Sequence, residues 1–157
     1  MSRKNFISEY LSDESLDSIA KAIGEIEKRS SGEIRICIKK RTGYFEKKHS
    51  TRDIALKQFY KLKMDNTRDR TGVLIFLIFK ERKFEIVADE GINSKITAEH
   101  WNYLSEQIRN YFSKESYSDG ILFSIGKIGE ILIREFPVNE DDRDELPNEV
   151  VFKRKRS

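Results

Sequence analysis

Val73-Leu74-Ile75-Phe76-Leu77-Ile78-Phe79 is the longest uninterrupted apolar run in the chain. It is far short of the roughly 20 residues that cross a bilayer as a helix. A short run that is apolar throughout, without alternation, reads as a central strand covered on both faces. Downstream, the charged residues Lys80–Lys83 form a turn into Phe84–Asp89, which alternates and returns as an antiparallel strand. Upstream, Ile34, Ile36 and Ile38 alternate with Glu33, Arg35, Cys37 and Lys39, the period of a further strand.

Helical spacing fills the intervals. Ser12 is suited to N-cap a first helix, with Asp13 and Glu14 near its positive end. Leu16, Ile19, Ala20, Ile23 and Ile26 line one face, and Gly32 ends the segment. A second helix follows Ser50 and Asp53, spaced as a capping box, with an apolar stripe of Ile54, Ala55, Phe59 and Leu62. A third opens near Thr97 and presents Trp101, Leu104, Ile108, Tyr111 and Phe112. A fourth opens near Ser118, turns Ile121, Ile125, Ile128 and Leu132 inward, and stops at Pro137. Gly126 and Gly129 inside it predict close packing against a neighbour.

The order α-β-α-β-β-α-α predicts an α/β fold, an α/β/α sandwich with a small mixed, twisted sheet and helices on both faces. The first two strands run parallel through a right-handed crossover, and the third pairs with the second as a hairpin. Residues 1–137 form a single domain. Residues 138–157 are a charged tail with an acidic cluster (Glu140, Asp141, Asp142, Asp144, Glu145) and a short apolar segment at 150–152, a candidate edge strand.

A chain of 157 residues is one domain's worth of protein. Thirty basic against 27 acidic residues give +3, too mild a balance to announce a nucleic-acid binder. The single cysteine, Cys37, leaves no internal disulfide. The first fifteen residues lack the apolar core of a signal peptide. A soluble protein of the reducing cytoplasm is therefore expected.

Common catalytic signatures are missing: no Walker-type phosphate loop, no Gly-x-Gly-x-x-Gly, no His-Glu-x-x-His and no Cys-x-x-Cys. His49 and His100 stand alone. The topology instead gathers acids. Glu33 and Asp69 precede the two parallel strands, and the antiparallel third strand delivers Asp89 and Glu90 to the same end. Asp119 joins them if the last helix starts nearby. Such a group of carboxylates is a hard-ligand environment for Ca²⁺ or Mg²⁺. The alternative is that these acids cap helices, pair with Arg68 or Arg70, or face water. A basic stretch, Lys39, Lys40, Arg41, Lys47, Lys48, Arg52 and Lys57, follows the first strand with Tyr44 and Phe45 among it.

The motifs Ser31-Gly32-Glu33-Ile34-Arg35, Thr67-Arg68-Asp69-Arg70-Thr71-Gly72-Val73-Leu74-Ile75, Asp89-Glu90-Gly91-Ile92 and Tyr117-Ser118-Asp119-Gly120-Ile121 occur in that order. With Ile128-Gly129-Glu130 and the segment Asn139–Val151, the chain resembles the TPM domain family over about residues 10–152. That family includes a thylakoid-lumen acid phosphatase and many bacterial proteins. The resemblance implies an α/β/α sandwich, a Ca²⁺ or Mg²⁺ site, and phosphatase activity in the plant branch. Asp69, Asp89, Glu90 and Asp119 fall in matching motif positions. Two positions depart from the pattern: Thr71 stands where many members have Asn, and Arg70 where an Asp often precedes it.

Three functions follow as expectations. The first is a divalent-metal-binding module for interaction or assembly with an unidentified protein partner. The second is a metal-assisted phosphatase in which Asp69 and Asp89 hold the cation and Glu90 or Asp119 handles the proton. The third is a binder of anionic partners through residues 39–57.

Overall fold

The computed structural model describes residues 6–138 together with the backbone of 150–153. A short 3₁₀ turn (Phe6–Glu9) leads into α1 (Asp13–Arg29), β1 (Glu33–Lys39) and a second 3₁₀ turn (Tyr44–Glu46). Then come α2 (Thr51–Lys61), β2 (Gly72–Ile78), β3 (Lys83–Ala88), α3 (Glu90–Asn93), α4 (Ala98–Ser113), α5 (Tyr117–Glu135) and β4 (Val150–Lys153).

The helices begin where local chemistry satisfies the free N–H groups. The hydroxyls of Ser12, Ser50 and Thr97 accept the N–H groups of Ser15 at 3.0 Å, Asp53 at 3.0 Å and His100 at 3.1 Å. Lys63 and Glu115 adopt left-handed backbone, φ 58° and 59°, just beyond α2 and α4. The following N–H groups of Met64 and Ser116 reach back to the carbonyls of Phe59 and Tyr111 and close the helix ends.

The sheet order is β3-β2-β1-β4, with β1 parallel to β2 and β4, and β3 antiparallel to β2. All seven residues of β1 and all seven of β2 are buried, as a central pair covered on both faces requires. On one face Ile34, Ile36, Ile38, Ile75 and Leu77 pack with α1, α4 and α5. On the other, Cys37, Leu74 and Phe76 meet Ile54, Ala55 and Phe59 of α2. The mixed α/β sandwich anticipated from periodicity is therefore present. The structure adds the one-turn α3 after β3, and a fourth strand one residue longer than the apolar segment 150–152. The acidic cluster at 140–145 lies outside the described residues.

The two glycines of α5 differ. A Cβ on Gly129 would sit 2.4 Å from Ile26 Cδ1, so α1 and α5 approach closely there. Gly126 meets nothing within 4 Å, and the expectation that it too marks a close contact is corrected: it faces open space. Gly91 is more constrained, because a Cβ there would lie 2.2 Å from the Asp69 carbonyl oxygen and 2.5 Å from that of Arg70. Gly126→Ala is expected to stabilise the protein by about 0.5–1 kcal/mol through helix propensity. Gly91→Ala should cost about 1–3 kcal/mol by overpacking against backbone. Denaturant unfolding of the two variants checks both signs.

Candidate functional site

Parallel pairing of β1 and β2 brings the loops that precede them to one end of the sheet, and these loops interlock. The Thr71 hydroxyl donates to the Ser31 carbonyl at 2.9 Å, and the Thr71 N–H donates to the Thr67 hydroxyl at 3.0 Å. The Glu33 N–H donates to the Thr71 carbonyl at 3.2 Å, and the Asp89 N–H to the Gly72 carbonyl at 2.9 Å. Gly91 closes the set by donating its N–H to the Arg70 carbonyl at 3.0 Å. Thr71 is thus fully buried and doubly hydrogen-bonded through its own side chain and N–H.

Arg70 dominates the chemistry of this end. Its Nε donates to Asp89 Oδ2 at 2.7 Å and its Nη2 to Asp89 Oδ1 at 2.8 Å, a bidentate pair. Nη1 reaches Glu90 Oε1 at 3.3 Å. Asp89 is only 6% exposed, and its Oδ1 also accepts the Glu90 N–H at 2.8 Å, capping α3. The hydrogen bonds to Asp89 raise the Arg70 guanidinium above its already high pKa. The backbone of Arg70 is left-handed, φ 55°, a conformation in which Gly, Asn and Asp are the comfortable residues. Arginine occupies that position while its side chain is committed to two carboxylates.

Of the five acids expected to converge, Asp89 and Glu90 meet around Arg70. Glu33 opens β1 at the same end of the sheet and is buried. Asp69 is exposed, with Arg68 Nε 3.8 Å from its Oδ1, a surface arrangement worth little. Asp119 does not join them. The Phe136 carbonyl at the C-terminal end of α5 accepts the Ser31 N–H, so that end of the helix lies by the interlocked loops. Its other end carries Tyr117, whose ring centroid is 5.1 Å from that of Phe79 beyond the far end of β2. Nineteen residues of helix span about 28 Å, which places Asp119 at the opposite pole.

Calcium is bound by about six to eight oxygens and magnesium by a strict octahedron. Here both oxygens of Asp89 are committed to a guanidinium, and one Glu90 oxygen leans on it too. Among the described residues no three His, Cys, Asp or Glu side chains form a group able to hold a metal ion. The donor set as placed does not fit Ca²⁺ or Mg²⁺: a fixed organic cation stands where a metal cation was anticipated.

The remaining chemistry-bearing side chains are dispersed. Cys37 is buried within β1. His49 and His100 are exposed on separate elements. A cleft of about 210 Å³ beside β3 is lined by Arg52, Glu85, Trp101 and Arg109, and by none of the five acids. Two buried charged groups among the described residues were not singled out from sequence, Glu27 of α1, whose Oε2 accepts the Ile34 N–H at 2.9 Å, and Arg35. Arg35 in β1 is 7% exposed, with Nε and Nη2 lacking hydrogen-bond partners among the described residues. The signal was an arginine at a covered position of an alternating strand.

The comparisons bear on family and fold. Similarity to the TPM domain spans residues 7–131. No curated protein matches the chain. Among solved structures, the NMR structure of the BA42 protein from the psychrophilic bacterium Bizionia argentinensis is 35% identical with a TM-score of 0.82. That alignment covers 98% of this chain and 100% of the other. With a family match over residues 7–131 and a solved relative 35% identical along nearly its whole length, the chain belongs to the TPM domain family.

Proposed function

We propose that this TPM domain is a non-catalytic interaction module whose acidic pole is held closed by Arg70, in place of a divalent cation. The observation that carries this reading is the bidentate Arg70–Asp89 pair, extended to Glu90. A guanidinium supplies the positive charge that neutralises converging carboxylates, and it does so with fixed directional donors and no exchange with solvent ions. The dispersed histidines and the buried thiol supply no nucleophile with an adjacent base, which favours a binding role over turnover. The metal-assisted phosphatase reading needs Asp69 and Asp89 to hold one cation together. Asp89 instead faces Arg70, and Asp69 stands exposed beside Arg68.

Calcium and magnesium titrations followed by backbone amide NMR test the proposal. The wild-type protein should show no saturable shifts at residues 69–72 or 89–92 at millimolar metal. Arg70→Asp restores the carboxylate common in the family at a backbone conformation aspartate tolerates. It should gain saturable shifts at those residues. Saturable wild-type shifts there would overturn the reading.

Stability gives a second check. Arg70→Gly relieves the left-handed backbone but leaves Asp89, 6% exposed, without its guanidinium. A Tm lower by several degrees is expected despite the relieved strain. An unchanged or higher Tm would show that the pair does not hold this end together.

A further inference from the structure

The opposite end of the sheet has a different character. Beyond Lys39 the chain forms residues 40–50, which present Tyr44 at 72% and Phe45 at 87% exposure, adjacent large apolar groups left to solvent. Most exposed apolar side chains are isolated, whereas this pair is contiguous and flanked by charge. Lys40, Arg41, Lys47 and Lys48 surround the pair in sequence, and Lys47 Nζ lies 5.7 Å from the Tyr44 ring centroid.

This segment is tied down on both sides. Glu46 Oε1 accepts the Gly43 N–H at 2.9 Å and pairs with the Lys39 ammonium. Glu81, from the turn between β2 and β3, accepts the Thr42 N–H at 2.8 Å and also bonds the Thr42 hydroxyl. The Lys80 N–H donates to the Lys40 carbonyl at 2.8 Å, bringing a further lysine to the same pole. Burial acts to raise both carboxyls, yet hydrogen bonds from Lys39 and Gly43 hold Glu46 below its ordinary pKa, and those from Thr42 hold Glu81 below its own. Glu46 and Glu81 are therefore ionised and spent on anchoring the loop, while Lys40, Arg41, Lys47 and Lys48 take no part in its ion pair.

We propose that this pole docks on an anionic lipid bilayer surface, with Tyr44 and Phe45 entering the interface and the surrounding lysines and Arg41 meeting the headgroups. Aromatic side chains favour the interfacial zone of a bilayer, and basic groups within a Debye length (about 8 Å at physiological ionic strength) are drawn to its negative surface. The geometry favours lipid over single-stranded nucleic acid. Stacking platforms offer ring faces to successive bases. Here the two rings are perpendicular at 88° with centroids 5.3 Å apart, and Lys47 covers one face of Tyr44. Such a pair inserts as a wedge. The inference uses none of the residues of the acidic pole, so it stands or falls independently of the function proposed above.

Co-sedimentation of the full chain with phosphatidylcholine vesicles, with and without phosphatidylglycerol, tests it. Binding is expected only to the anionic vesicles, and it should weaken steeply with added salt. Tyr44→Ser with Phe45→Ser, both at exposed positions, should reduce it at least about tenfold, as should Lys47→Glu with Lys48→Glu. Circular dichroism of each variant confirms that the fold is kept. Absence of binding to anionic vesicles at low salt would overturn the proposal. So would binding indifferent to Tyr44 and Phe45, which would reduce the effect to unspecific charge attraction. Retention on oligouridine without vesicle binding would assign the pole to RNA and equally overturn it.

Discussion

The parallel pairing of β1 and β2 is the constraint on which the molecule depends. Both strands are buried along their whole length, and in β1 a one-residue slip would exchange Ile34, Ile36 and Ile38 with Arg35, Cys37 and Lys39 between the two covered faces. Parallel pairing also sorts the connections. The segments that enter the two strands share one end, and those that leave them share the other. The first end became a compact knot of family motifs with a buried carboxylate, the second a basic segment with exposed aromatics. These poles are consequences of topology before they are consequences of any single residue.

At the acidic pole, Arg70 is the cation that faces Asp89 and Glu90. A carboxylate at this position would add a hard oxygen donor beside Asp89 and Glu90. The arginine instead brings a planar fork whose two parallel bonds match the carboxylate of Asp89. Its left-handed backbone aims the side chain back across the loop, while the Gly91 N–H fixes the Arg70 carbonyl on the other side. The same contacts that position Arg70 make any side chain at Gly91 costly, since the Asp69 and Arg70 carbonyls occupy the space of a Cβ. Motif glycine and motif acid therefore serve one clamp. The clamp joins the loop before β2 to the turn after β3.

Much of the fold was legible in the chain. The seven-residue apolar run marked a doubly covered strand, alternation marked its neighbours, and Ser12, Ser50 and Thr97 marked helix starts that their hydroxyls indeed cap. Glu33, Asp89 and Glu90 were placed at one end because strand direction alone decides that. Asp119 was not placeable in this way, because the end from which α5 sets out depends on how α4 delivers the chain across the sheet. Gly126 and Gly129 are alike in sequence, and only the position of α1 separates the packed one from the open one. The commitment of Arg70 was visible only as one option among several for nearby acids, since pairing depends on a left-handed turn that nothing in the residue type announces.

The most direct measurement is the side-chain NMR resonance of the Arg70 guanidinium, recorded with and without calcium. An Nε–H locked onto Asp89 should give a resolved signal, shifted from that of free arginine, protected from solvent exchange and unmoved by millimolar calcium. A signal at the position of free arginine would contradict the account. So would one that collapses to that position as calcium is added, because the pole would then be a cation site that the arginine merely covers.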